Sequence, residues 1–259
     1  MGKVDSEHRI ARDWEQKGEN ALADHNDQKA ADDFENAADA LLRSADALYT
    51  KRDVKGSAHD LEAAGADMLK TNIDHRHRDA KARGCYGAAG DERMEAGKAA
   101  GRNHNEAAKQ YGKAQEDYTK AADAATRLGD SDGAKRLSAQ ADDAGEKAAK
   151  EYEIAGADRM KAGKAAGRNH NEAAKQYGKA QEDFTKAKDA ARNAGDTKNA
   201  DKYGKQADDA GTKAYHARHL QFLHVLNGIA VRHDEKRTVQ KAAEVRDASP
   251  AYNDPRNKL

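Results

Sequence analysis

"AGKAAGRNHNEAAKQYGKAQED" fills residues 96–117 and returns letter for letter at 162–183. A chain that repeats itself at a step of 66 residues, Arg102 to Arg168, is built from stacked copies of one supersecondary unit. The near-duplicate region is wider than the identical block, running over 85–121 and 151–187. Inside the block, "GRNHNE" at 101–106 and 167–172 reads as a helix stop followed by a helix start. Glycine takes the left-handed turn that ends a helix. Asn103 and Asn169 then serve as N-caps, with Glu106 and Glu172 three residues on to complete a capping box. Packing would tolerate change at Lys109, Gln110 or Lys113, so their repetition points to a recent duplication, not to chemistry.

Beyond the turn, small and apolar residues fall at Ala107, Tyr111, Ala114, Tyr118, Ala121, Ala125 and Leu128, alternating steps of four and three. That is the spacing of a coiled-coil seam. The second copy repeats it through Ala173, Tyr177, Ala180, Phe184, Ala187, Ala191 and Ala194. An N-terminal cousin runs through Ala30, Phe34, Ala37, Leu41, Ser44 and Leu48. Three helices of about 25 residues, each about 37 Å long, are predicted. Small knobs let helix axes approach, and the rings fill the gaps that alanines leave. An Ala methyl stabilises by less than half of what a Leu contributes, so many helices must stack together.

Composition agrees. Both prolines, Pro250 and Pro255, lie in the last ten residues, which leaves the rest free to be helical. Leu, Ile, Val and Phe number 25 in 259 residues, few enough to raise disorder, but the usual companion of disorder, a high net charge, is missing. Lys+Arg and Asp+Glu stand at 46 each, so no global field draws the chain to nucleic acid or to an acidic membrane. No apolar run is long enough to span a bilayer. Cys85 is alone, which suits a reducing, cytoplasmic setting, and Gly2 with Ser6 fits the short N-myristoylation pattern.

The expected architecture is all-α: an antiparallel helical-repeat array, a TPR-like α-solenoid with Ala-rich heptad seams. It forms one elongated domain over 1–248, with units at about 5–56, 57–130, 131–196 and 197–247, and a flexible tail over 249–259. Residues 131–166 carry an apolar stripe with Gly145, Gly156 and Gly163 as candidate breaks. A break near 145–148 is predicted, because an unbroken helix would overhang a 25-residue neighbour by about 16 Å.

The spacing of Trp14, Gly18, Ala30, Phe34 and Ala37 resembles the tetratricopeptide (TPR) pattern, in which a helix carrying W and G packs on one carrying A, F and A. Tyr118, Ala122, Ala134 and Ala141 match in part, as do Phe184, Ala200 and Ala207. The resemblance is to the longer-helix variety found in vesicle-fusion attachment proteins, and it implies a scaffold that binds other proteins along a groove. The Ala/Lys/Glu/Asp/Gly-rich repeats also resemble late-embryogenesis-abundant, desiccation-protective proteins, which implies a largely unfolded chain. Rings recurring at one heptad position argue against disorder.

Candidate chemistry is sparse. "GDERMEAGKAAG" and "GADRMKAGKAAG" resemble a phosphate-binding loop, but six residues separate the glycines where the motif has four, and Ala99 or Ala165 stands where it needs a hydroxyl. Arg102, His104, Arg168 and His170 sit beside helix-start amides, a setting that can hold an anion, and with His25 the turns are expected along one rim. "DHRHRDAKAR" at 74–83 is a small basic cluster without an aromatic platform. "YHARHLQFLHVLNGIAV" at 215–231 holds seven of the 25 large aliphatics and phenylalanines, and its His216, His219 and His224 approach metal spacing without a fourth ligand. Two readings of that stretch compete: a buried helix plugging the end of the array, or an exposed patch of Leu220, Phe222, Leu223, Leu226 and Ile229 for self-association or a partner. The sequence therefore predicts a non-enzymatic scaffold for a protein or peptide, without cofactor or metal, and with a homo-oligomer through 215–231 open to it. A desiccation-type protective protein, or an enzyme with a His-containing C-terminal site, is the alternative.

Overall fold

The computed structural model describes residues 2–70 and 75–248, the side chains at 228–231, 233, 242–243 and 245–248 excepted. The tail expected over 249–259 lies outside the described residues. Those described form eight α-helices and no strand: α1 (Lys3–Ala23), α2 (Asp27–Thr50), α3 (Val54–Met68), α4 (His75–Ala99), α5 (His104–Arg127), α6 (Ser131–Ala165), α7 (His170–Asn193) and α8 (Thr197–Ala248). The extensive contacts all join neighbours in the chain, α1 with α2 through α7 with α8. Each pair runs antiparallel: Gly90 meets Tyr118 and Gly97 meets Tyr111 between α4 and α5, and Gly156 and Gly163 repeat the order on α7. The molecule is an all-α array of stacked antiparallel helices.

Local chemistry punctuates it, at Asn103 and Asn169 as the turns predict. Asn26, Asp53, Asn103, Asp130 and Asn169 each accept the backbone N–H three residues on. Only that half of the predicted capping box forms; the Glu106 carboxylate turns outward to Lys55 and Gln110. Gly101 and Gly167 take φ of +56° and +55°, the left-handed geometry that ends the preceding helix. His25 and Arg52 take it without a glycine.

Most of the predicted seam positions are buried, Ala30, Ala37, Ala114, Ala121 and Ala187 completely, while Leu48, Leu128, Tyr177 and Ala194 are half-buried. What lets the helices close on them is a set of glycines in mid-helix. A Cβ on Gly90 would stand 2.7 Å from the Tyr118 ring, and one on Gly156 2.9 Å from Phe184. Gly97 and Gly163 receive Tyr111 and Tyr177 in the same way, and Gly18 receives Phe34. Each glycine is a socket for a ring on the next helix. Leaving out a Cβ costs helix propensity, about 1 kcal/mol against alanine, and gains contact over an aromatic face.

The predicted break near 145–148 does not occur; α6 is continuous over 35 residues. Its glycines are contact points, not stops: Gly145 lies under the Gln115 amide and the Ala194 methyl. Nor does α6 overhang, because its partners are staggered. Its earlier residues lie along α5, where Glu151 reaches His104 near the start of that helix, while Gly145 to Gly163 lie along α7 from Ala194 to Tyr177.

Candidate functional site

Helix α8 continues far past the partner that supports it. Ala207, Ala210, Ala214 and Ala217 are buried, the last among Ala173 and Ala174 near the start of α7. Beyond them the buried plug considered from sequence is absent: Tyr215 is 67% exposed, Phe222 59% and Leu226 44%, with Leu220, Leu223 and Val225 similarly open. Apart from Tyr49, every large apolar side chain exposed among the described residues is on α8. Ile229 belongs to the same helix, its side chain outside the described residues. Tyr215, His219, Phe222 and Leu226 step by four, three and four, so they share one face, and Ile229 follows in the sequence at the next step of three. The rings of Tyr215 and His219 stack there, 6.5 Å between centroids.

That face has a counterpart inside the array. Gly90, Met94 and Gly97 of α4 receive α5, and Gly156, Met160 and Gly163 of α6 receive α7. A further 66 residues on stand Phe222, Leu226 and Ile229. The side of α8 on which a next helix would lie is thus open, and its sockets are replaced by large side chains.

The turn residues behave differently. Because the helices alternate in direction, the His25 turn lies at the opposite end of the array from the His104 and His170 turns, so the three do not share the single rim expected from sequence. His104 is committed to Glu151, Nδ1 to Oε2 at 2.6 Å, while Arg102 and Arg168 are exposed. In the basic cluster, Arg83 pairs with Asp130 at 2.7 Å and Lys81 with Glu35, which joins α4 to its neighbours.

Two ion pairs recur at the repeat step, each with its aspartate buried. Arg93 Nε lies 2.6 Å from Asp117 Oδ2, with Glu62 on the other side of the guanidinium, and Arg159 lies 3.0 Å from Asp183. Burial pushes Asp117 up to about 7 against the pull of Arg93. It raises Asp183 as well, again opposed by its arginine. Burial likewise lifts Asp67 to about 6, held down in part by Lys70. The two Arg–Asp pairs tie helix to helix, whereas Asp67 and Lys70 pair within the last turn of α3 and just beyond it.

Ser44, His8 and Asp60 meet where α1, α2 and α3 converge, yet they are not wired as a nucleophile relay. One nitrogen, His8 Nε2, faces both Ser44 Oγ at 3.1 Å and Asp60 Oδ2 at 2.8 Å, and Ser44 is fully buried. A relay needs the two ring nitrogens on different partners. Cys85 is buried, which pushes its thiol up to about 11 and keeps it protonated. His216, His219 and His224 are exposed along α8; among the described residues no three metal-binding side chains gather into a site, and no helix is long and apolar enough to cross a membrane.

No protein-family model and no curated protein matches the chain. Among solved structures it is similar to the DHF58 filament, at 13% identity over 85% of this chain and 97% of the other, TM-score 0.42. It is also similar to the de novo designed helical repeat protein DHR64, at 13% identity over 83% and 96% of the two chains, TM-score 0.42.

Sequence reasoning singled out the apolar run on α8 but missed the glycine sockets and the Arg–Asp pairs. The signal was present: Gly90/Gly156, Gly97/Gly163, Arg93/Arg159 and Asp117/Asp183 all recur at the repeat step.

Proposed function

We propose that the protein is a non-enzymatic helical scaffold, TPR-like in its helix pairing, that holds a protein partner's amphipathic helix on the open face of α8. The observation that carries this is the exposed apolar run from Tyr215 to Leu226, set at the register with which α4 and α6 receive their neighbours. Exposed apolar patches of this kind mark interaction sites in soluble proteins. The N-terminal hairpin supports the TPR-like reading, since Gly18 seats Phe34 between Ala30 and Ala37 as the W-G and A-F-A pattern implies. The non-enzymatic reading is supported by where the perturbed acids lie, Asp117 being engaged by Arg93 within the interior and Asp67 by Lys70 at the end of α3.

A photo-crosslinker at Leu223 tests the reading. It should capture a protein in host extract which, once purified, binds the wild-type chain and loses at least tenfold in affinity to Leu223→Glu. Equal binding to both, or equal capture from a crosslinker at Lys109, would overturn it.

A further inference from the structure

We propose that the occupant of the α8 face is the α8 of a second copy of this chain, laid face to face about Leu226. This rests on the reading of α8 as the docking face and goes further by naming what docks.

Three observations carry it. The face continues an interface that the array already builds twice, on α4 and α6, so a helix is the object that fits it. It is not shaped for another repeat, because Phe222 stands at the position of Gly90 and Gly156 and leaves no socket for an incoming ring. A partner must instead present side chains that interlock with an apolar ridge, as facing ridges do in antiparallel helix pairs. Nor can copies stack end to end, α8 on α1, since none of the large exposed apolar side chains belongs to α1. Among the described residues the surface that matches α8 is α8 itself, and self-matching surfaces close into a twofold dimer.

Charge does not oppose the pairing: with 46 charges of each sign, copies do not repel at long range.

Light scattering on the full chain after size exclusion, from about 1 to about 100 µM, tests the proposal. The mass should rise from 28.1 kDa to twice that value. Phe222→Glu with Leu226→Glu should remain monomeric throughout, with helicity by circular dichroism retained because both sites are exposed. Leu226→Glu alone should weaken the dimer at least tenfold. A wild-type chain that stays monomeric overturns the self-pairing and leaves a heterologous partner on α8 standing. A dimer untouched by the double glutamate variant overturns both that and the α8 docking face.

Discussion

Two identical stretches of this chain, 96–117 and 162–183, make the same turn, the same cap and the same ring-into-glycine contact, yet they do not live in the same surroundings. The first is enclosed: Tyr111, Gln110 and Gln115 are buried, and His104 has Glu151. In the second, Tyr177 and Gln176 are half-buried and Gln181 is exposed. The residue corresponding to Glu151 is Ala217, packed against Ala173 and Ala174. Arg93 is 3% exposed by side chain and Arg159 26%. Position in the stack, not the letters, decides which polar groups are dry. Where the sequences of the repeats do part, they part in step. Tyr118 donates to Asp91 at 2.6 Å, and the second repeat has Phe184 and Ala157 in their places, so hydroxyl and acceptor disappear together. A polar pair is replaced by an apolar one without leaving an orphan.

The contrast can be broken most sharply at the arginines. Arg93→Met leaves Asp117 buried without its counter-charge, and a loss of about 3–5 kcal/mol in urea unfolding at pH 8 is expected. Arg159→Met should lose clearly less, because its site admits water; equal losses would refute the difference in burial. The pH dependence has a definite sign. Asp117 in the folded state sits at about 7 and Asp67 at about 6. Both lie above the unfolded value of about 3.9. The folded state therefore holds more protons, and stability should fall as pH rises from about 4 to about 7, then level off. Arg93→Met should accordingly hurt less at pH 5, where Asp117 can take a proton. A stability that rises over that range would contradict the assignment.

The sockets come next. Gly97→Val and Gly90→Val should each cost about 1–3 kcal/mol in thermal or urea unfolding, because the rings they meet are buried and cannot swing away. Gly163→Val should cost less, since Tyr177 is half-exposed and can yield. The smallest effect is the most specific. Tyr118→Phe alone should cost about 1 kcal/mol. Adding Asp91→Ala should recover most of that loss, reproducing the arrangement that the second repeat already has. A double variant as unstable as the single one would show that the pairing of the two changes has no bearing on stability. Throughout, unfolding should be a single cooperative transition; a gradual, non-cooperative loss of helix would favour the protective, largely unfolded alternative instead.

Much of the fold was legible because it is local. The four-three seams, the Asn and Asp caps and the glycine stops at 101, 129, 167 and 195 depend on residues within a turn or two of one another. Gln110 was misjudged as a free surface position for the opposite reason: it is buried by neighbours distant in the chain. The helix of 131–165 was misjudged likewise, since glycine reads as a break until the ring that covers it is located. On α8 the run of large residues announced a special surface, but whether it was a plug or a patch turned on how far α7 reaches.

By itself, the sequence determined that this is a helical array, where its repeated turns are capped, and which face of the three seam helices is apolar, because periodicity, capping and propensity act over a few residues. Only the tertiary structure decided which charges are dry, which glycines seat rings and which apolar face is left uncovered. Those depend on the stagger of neighbouring helices, and that is set by the close packing of side chains far apart in the chain.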